Sequence, residues 1–246
     1  MLDAGFNRAR PDSVPKPVRS WWLFCLSVLL AFTASSALAH GVTGGDAGYI
    51  HEVWGVQLGP FVYLGAKHMV TGYDHLLFLL GVIFYLYNLK HVAVYVSLFA
   101  LGHSITMLLG YYFHWGLNAY LVDAIIGLSI VYKALDNMGV YEKWFGIQPD
   151  TKAATFVFGL FHGLGLSSRL MEFEISEHGL WPNLIAFNVG VEIGQILALA
   201  AILIGLGFWR RTPGFGRQAY NVNVALCLAG LVLTGLQLTS FLAQKS

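Results

Sequence analysis

The chain has 246 residues, of which 57% are hydrophobic and only 11% charged, against roughly a quarter charged in ordinary soluble domains. That balance excludes a soluble globular protein and describes a polytopic membrane protein. A net charge of +1 gives no clustered basic surface for nucleic acid, and the two cysteines, Cys25 and Cys227, lie inside apolar segments, which leaves no disulfide framework or thiolate metal site.

Residues 1–20 carry Arg8, Arg10, Lys16 and Arg19, an apolar core follows from Trp21, and Ala37-Leu38-Ala39 supplies the small residues that signal peptidase accepts. Residues 1–39 read as a cleaved signal peptide. The alternative is an uncleaved anchor, for which the core falls short of the ~20 apolar residues of a span. Cleavage makes His40 the new N-terminus, offering an amine and an imidazole ahead of a Gly-rich stretch. Residues 40–68 are expected as a periplasmic and interfacial lead-in, because Trp54, Phe61 and Tyr63 suit the bilayer surface.

Residues 69–246 form the transmembrane domain. Its first span is expected at about 69–88, the others at about 91–113, 118–137, 153–171, 181–209 and 221–242. The fold class is all-α, a bundle of about six membrane helices. Lys90, Lys143, Lys152, Arg210, Arg211 and Arg217 fall in alternate loops, and the positive-inside rule makes those loops cytoplasmic and the mature N-terminus periplasmic. The expected location is a bacterial inner membrane, with the lipid bilayer as the first partner.

Ionisable groups inside a membrane are expensive and mark functional sites. His68, Asp74 and His75 open the first span as H-x5-D-H. On an unbroken helix the two histidines are nearly two turns apart on one face, while Asp74 points to its side. Two imidazoles and a carboxylate suit nickel, zinc, copper or ferrous iron better than magnesium or calcium. The bland alternative leaves His68 and Asp74 in the wet interface and His75 bonded to a neighbouring helix. By depth, His75, His103, Asp123, His162 and Glu192 all fall between the outer interface and the midplane, on five different helices, so they can converge on one cavity.

In the fifth span Asn188, Glu192 and Gln195 recur at i, i+4 and i+7, a polar stripe expected to face the bundle interior. Except for Lys133, no lysine or arginine is expected near that depth, so a metal ion or protons would balance the carboxylates. The candidate metal ligands are His68, Asp74, His75, His103, His162 and Glu192. No catalytic acid/base pair with diagnostic spacing stands out, and no G-x-x-x-x-G-K-[ST] nucleotide motif is present.

The motifs H-x5-D-H-L-L-F-L-L-G at 68–81, G-H-S-I-T at 102–106, G-L-F-H-G-L-G at 159–165 and F-N-V-G-V-E-I-G-Q at 187–195 resemble those of the HupE/UreJ family of bacterial membrane proteins. The resemblance implies a signal sequence, six or seven spans, and a nickel permease associated with metalloenzyme maturation proteins. It also places His68, Asp74 and His75 in the family's H-x5-D-H motif and His162 in its F-H-G motif. The expected function is permeation of a divalent transition metal, nickel first, with copper, zinc or iron as alternatives and with transport passive or gradient-driven. The rival readings are a membrane factor that binds and delivers a metal without moving it across, and a membrane-embedded metalloenzyme.

Overall fold

The computed structural model describes residues 55–171 and 178–244. The leader, His40 and the acidic segment 172–177 lie outside them. Eight helices and no strand occur among the described residues: α1 Leu58–Thr71, α2 Tyr73–Ile83, α3 Leu89–Tyr112, α4 Ala119–Asn137, α5 Val140–Phe145, α6 Thr151–Met171, α7 Leu180–Arg210 and α8 Phe215–Ala243. Three of them, α3, α7 and α8, are long and apolar enough to cross a membrane by length and composition. The all-α membrane fold is therefore as expected.

The first span differs from expectation. Instead of one helix over 69–88, two helices meet at Gly72, whose extended backbone (φ −71°, ψ 103°) ends α1 and starts α2. Residues 40–54 of the expected lead-in lie outside the described residues, while α1 buries Phe61, Leu64, Gly65 and Met69 and lies along α7. Glycines set that approach. A Cβ on Gly65 would stand 2.0 Å from the Phe187 carbonyl oxygen, and one on Gly190 would stand 2.0 Å from that of Val62.

Two more pairs form in the same way. α3 meets α6 through Gly102, Gly159 and Gly163, and α4 meets α8 through Gly127 and Gly230. Small residues are what membrane helices need, because lipid gives no hydrophobic drive to association and close van der Waals packing must supply it. The three pairs surround the short helix α2.

The carboxyl end of α2 is held by Arg210 from α7, which donates to the carbonyls of Ile83 (2.6 Å), Phe84 (2.7 Å) and Leu86 (3.0 Å). They lie at and just beyond the helix C-terminus, where a cation is favoured by the helix dipole; the Ile83 carbonyl also accepts the Leu86 N–H at 3.0 Å. Arg210 thereby ties α2 to the end of the bundle that carries Lys90, Lys143, Lys152, Arg211 and Arg217, called here the basic end.

Candidate metal centre

The amino end of α2 sits in the middle of the bundle, and there the histidines meet. Gly72 is the N-cap of α2, so Asp74 and His75 occupy its first turn, where a carboxylate is favoured by the dipole. Asp74 Oδ1 and His75 Nδ1 are hydrogen-bonded at 3.0 Å. A carboxylate on one ring nitrogen fixes the tautomer and turns the other nitrogen toward its target. Both residues are buried, at 7% and 4% exposure.

His75 is the hub of the cluster. Its ring centroid lies 5.0 Å from that of His68, 5.0 Å from that of His162 and 6.2 Å from that of His103. The four rings come from α1, α2, α3 and α6. The close approach of α3 and α6 depends on Gly163, since a Cβ there would lie 2.1 Å from the His103 carbonyl oxygen and 2.3 Å from Thr106 Oγ1.

Asp74, His75 and His162 each offer one ligand atom within 4.8 Å of the others. Atoms sharing one ion at ~2.1 Å stand up to about 4.2 Å apart, so a small inward adjustment suffices. His75 Nε2 and both ring nitrogens of His103 and of His162 are buried without a hydrogen-bond partner. Buried polar atoms are nearly always partnered, and neutral imidazole nitrogens are good ligands for divalent transition metals. The donor set fits such an ion.

Toward the basic end the cluster rests on an aromatic layer that the sequence reading missed. Each of three helices carries a phenylalanine one turn below its histidine: Phe78 below His75, Phe99 below His103, and Phe158 below His162. Phe78 lies 5.3 Å from Phe99 and 5.7 Å from Phe158, and Phe99 lies 4.9 Å from His162. The spacings H-x2-F and F-x3-H were present in the sequence as a signal.

Below this layer Lys133 Nζ pairs with Asp136 Oδ2 at 2.6 Å. Beside that pair Asn137 Nδ2 donates to the Gly81 carbonyl at 2.8 Å and to Asn223 Oδ1 at 2.9 Å. At the opposite end of the cluster Asp123 pairs with Arg169. The expectation that intramembrane carboxylates lack basic partners therefore fails for Asp123.

Glu192 is also a correction: it is exposed and does not join the histidines. The stripe itself is real, with Asn188 Nδ2 donating to Ser104 Oγ at 2.9 Å and Gln195 Nε2 donating to the Val96 carbonyl at 3.4 Å. The packed face of α7, however, is the one bearing Phe187, Val191 and Gly194, all buried. Glu192 lies roughly 130° round the helix from it, beside the exposed Val189, Ile193 and Ile196. His68, Asp74, His75, His103 and His162 are brought together, and Glu192 is not.

No curated protein and no solved structure matches the chain. The family described as HupE / UreJ protein matches residues 44–245, a range that contains α1 through α8 and every residue of the histidine cluster. The chain belongs to the HupE/UreJ family.

Proposed function

We propose that the protein is a permease for a divalent transition metal, nickel first, which takes the ion from the periplasmic side into the histidine cluster and passes it to the cytoplasm through a bundle of about six crossings. The observation that carries this reading is the set of five buried imidazole nitrogens on His75, His103 and His162 that have no hydrogen-bond partner. A packing role would leave those nitrogens bonded to a neighbour. Three rings converging beside Asp74 supply nitrogen donors, and a carboxylate supplies charge for a cation. Family membership supports the same reading through the nickel role that the resemblance implies.

The ion here is cargo. His75, oriented by Asp74, is the central ligand, His162 and His103 complete the cradle, and His68 stands at the outer side on α1. The test combines two measurements on protein in liposomes and in nanodiscs: uptake of radioactive nickel, and calorimetric nickel binding. Wild type is expected to show both, and His75→Ala and His162→Ala neither. Binding without flux in wild type would overturn the permease and leave a metal-delivery factor. Absence of binding would overturn both.

A further inference from the structure

His162 and Arg169 leave α6 about two turns, roughly 10 Å, apart on the same face. Arg169 lies on the side away from the basic end, and its guanidinium reaches across to the Asp123 carboxylate of α4. The two partners are not equally sheltered. Asp123 is 5% exposed, while the Arg169 side chain keeps 18% exposure and passes over the Tyr120 ring at 5.9 Å. Arg169 is thus the outward member of the pair.

Asp123 faces α6 between His162 and Arg169. A Cβ on Gly165, between His162 and Arg169 on α6, would stand 3.4 Å from Asp123 Oδ1. From the other end the cluster is closed by Phe78, Phe99 and Phe158. Arg169 and Asp123 thus lie on the side of the cluster opposite these phenylalanines, away from the basic end.

A buried carboxylate needs a partner, and here one partner is a singly charged group on a long, partly exposed stem. At equal distance a divalent ion is attracted to the carboxylate twice as strongly as a guanidinium. We propose that Asp123 is the first ligand an incoming divalent cation meets, and that Arg169 is a tethered cation which holds that position until the ion displaces it. In the exchange Arg169 swings outward and the ion takes the carboxylate oxygen. When the ion moves on to the imidazoles, Arg169 returns and the pair is neutral again.

This inference rests on the permease reading and adds a second metal position to it. It assigns the two partners opposite effects, which a structural brace would not have. The experiment measures the rate of nickel capture by the full chain in nanodiscs, using radioactive nickel and rapid filtration. Arg169→Gln is expected to capture about tenfold faster than wild type, because the competitor is gone, and Asp123→Asn about tenfold slower. Arg169→Lys, which keeps the charge but loses the planar fork, is expected to fall between wild type and Arg169→Gln. It also serves as the test variant if Arg169→Gln does not fold. Slower capture in the arginine variants as well as in Asp123→Asn would overturn the inference and leave the permease reading intact. No capture by wild type would overturn both.

Discussion

Asp74 and His75 are adjacent in the chain and hydrogen-bonded through Oδ1 and Nδ1 at 3.0 Å, which points His75 Nε2 into the cluster. Removing the charge of that acceptor while keeping its shape isolates the orienting role. Asp74→Asn is expected to lower nickel affinity by about 10- to 100-fold, the usual cost of losing a partner behind a metal-binding histidine. His75→Ala is expected to abolish binding. Isothermal titration of the two variants checks this, with a thermal melt to show that both remain folded.

Gly72 is required by space. A Cβ there would stand 2.5 Å from His75 Nδ1 and 3.1 Å from Asp74 Oδ1, so the ring would have to move by roughly 1 Å, beyond the ~0.5 Å that a binding constellation tolerates. Gly72→Ala is expected to weaken nickel binding at least about tenfold, with a stability loss near 1 kcal/mol. The control is Gly235→Ala, where a Cβ meets nothing within 4 Å and alanine is the better helix former. It should bind nickel like wild type and melt no lower.

Gly163 separates packing from ligation. Its missing side chain lets α6 approach the His103 carbonyl, where a Cβ would lie at 2.1 Å. Gly163→Ala is expected to destabilise the protein by about 1–3 kcal/mol through overpacking and to weaken nickel binding as well, since His162 is carried away from His103. Detergent-melt temperature and calorimetry on one sample give both results. A lower melting temperature with unchanged affinity would mean that His103 and His162 do not act together on the ion.

The sequence showed the histidines because each stands in an apolar run, where an imidazole conflicts with its surroundings. The convergence of His75, His103 and His162 was legible from that conflict together with their similar depth along their spans. Gly72 was legible as a glycine able to loosen the helix, but the full break there was not, since an isolated glycine is tolerated in a helix pattern. Nor was the direction of Glu192: a stripe at i, i+4 and i+7 says that polar residues lie together, but Phe187, Val191 and Gly194 decide which side of α7 is packed. The Asp123–Arg169 pair joins two helices far apart in sequence, and no period along either one reveals it.

The placement of Glu192 is itself testable. It is exposed on α7, on the side away from His68 and His75. Glu192→Gln is therefore expected to leave nickel affinity within about twofold of wild type, a change smaller than about 0.4 kcal/mol. Calorimetry under the conditions used for the histidine variants decides this, and a loss as large as that of His75→Ala would place the carboxylate at the ion after all.

The aromatic layer makes the last prediction. Phe158 is the half-buried member, lying 5.7 Å from Phe78 and 5.1 Å from Tyr132, and it therefore bridges the floor of the cluster to the polar region around Lys133 and Asp136. Truncating a fully buried phenylalanine costs about 3–5 kcal/mol. Phe158 should cost less because part of its surface is already exposed, so Phe158→Ala is the variant with which to open the layer without unfolding the bundle. The histidines remain, and nickel affinity is expected to stay within about threefold of wild type, less than 1 kcal/mol. Flux responds differently if the layer is the barrier on the cytoplasmic side of the cluster: nickel uptake into liposomes is expected to rise, with the variant also passing nickel in the outward direction when the gradient is reversed. Unchanged flux with unchanged affinity would show that the ion leaves the histidines by a route that does not cross Phe78, Phe99 and Phe158.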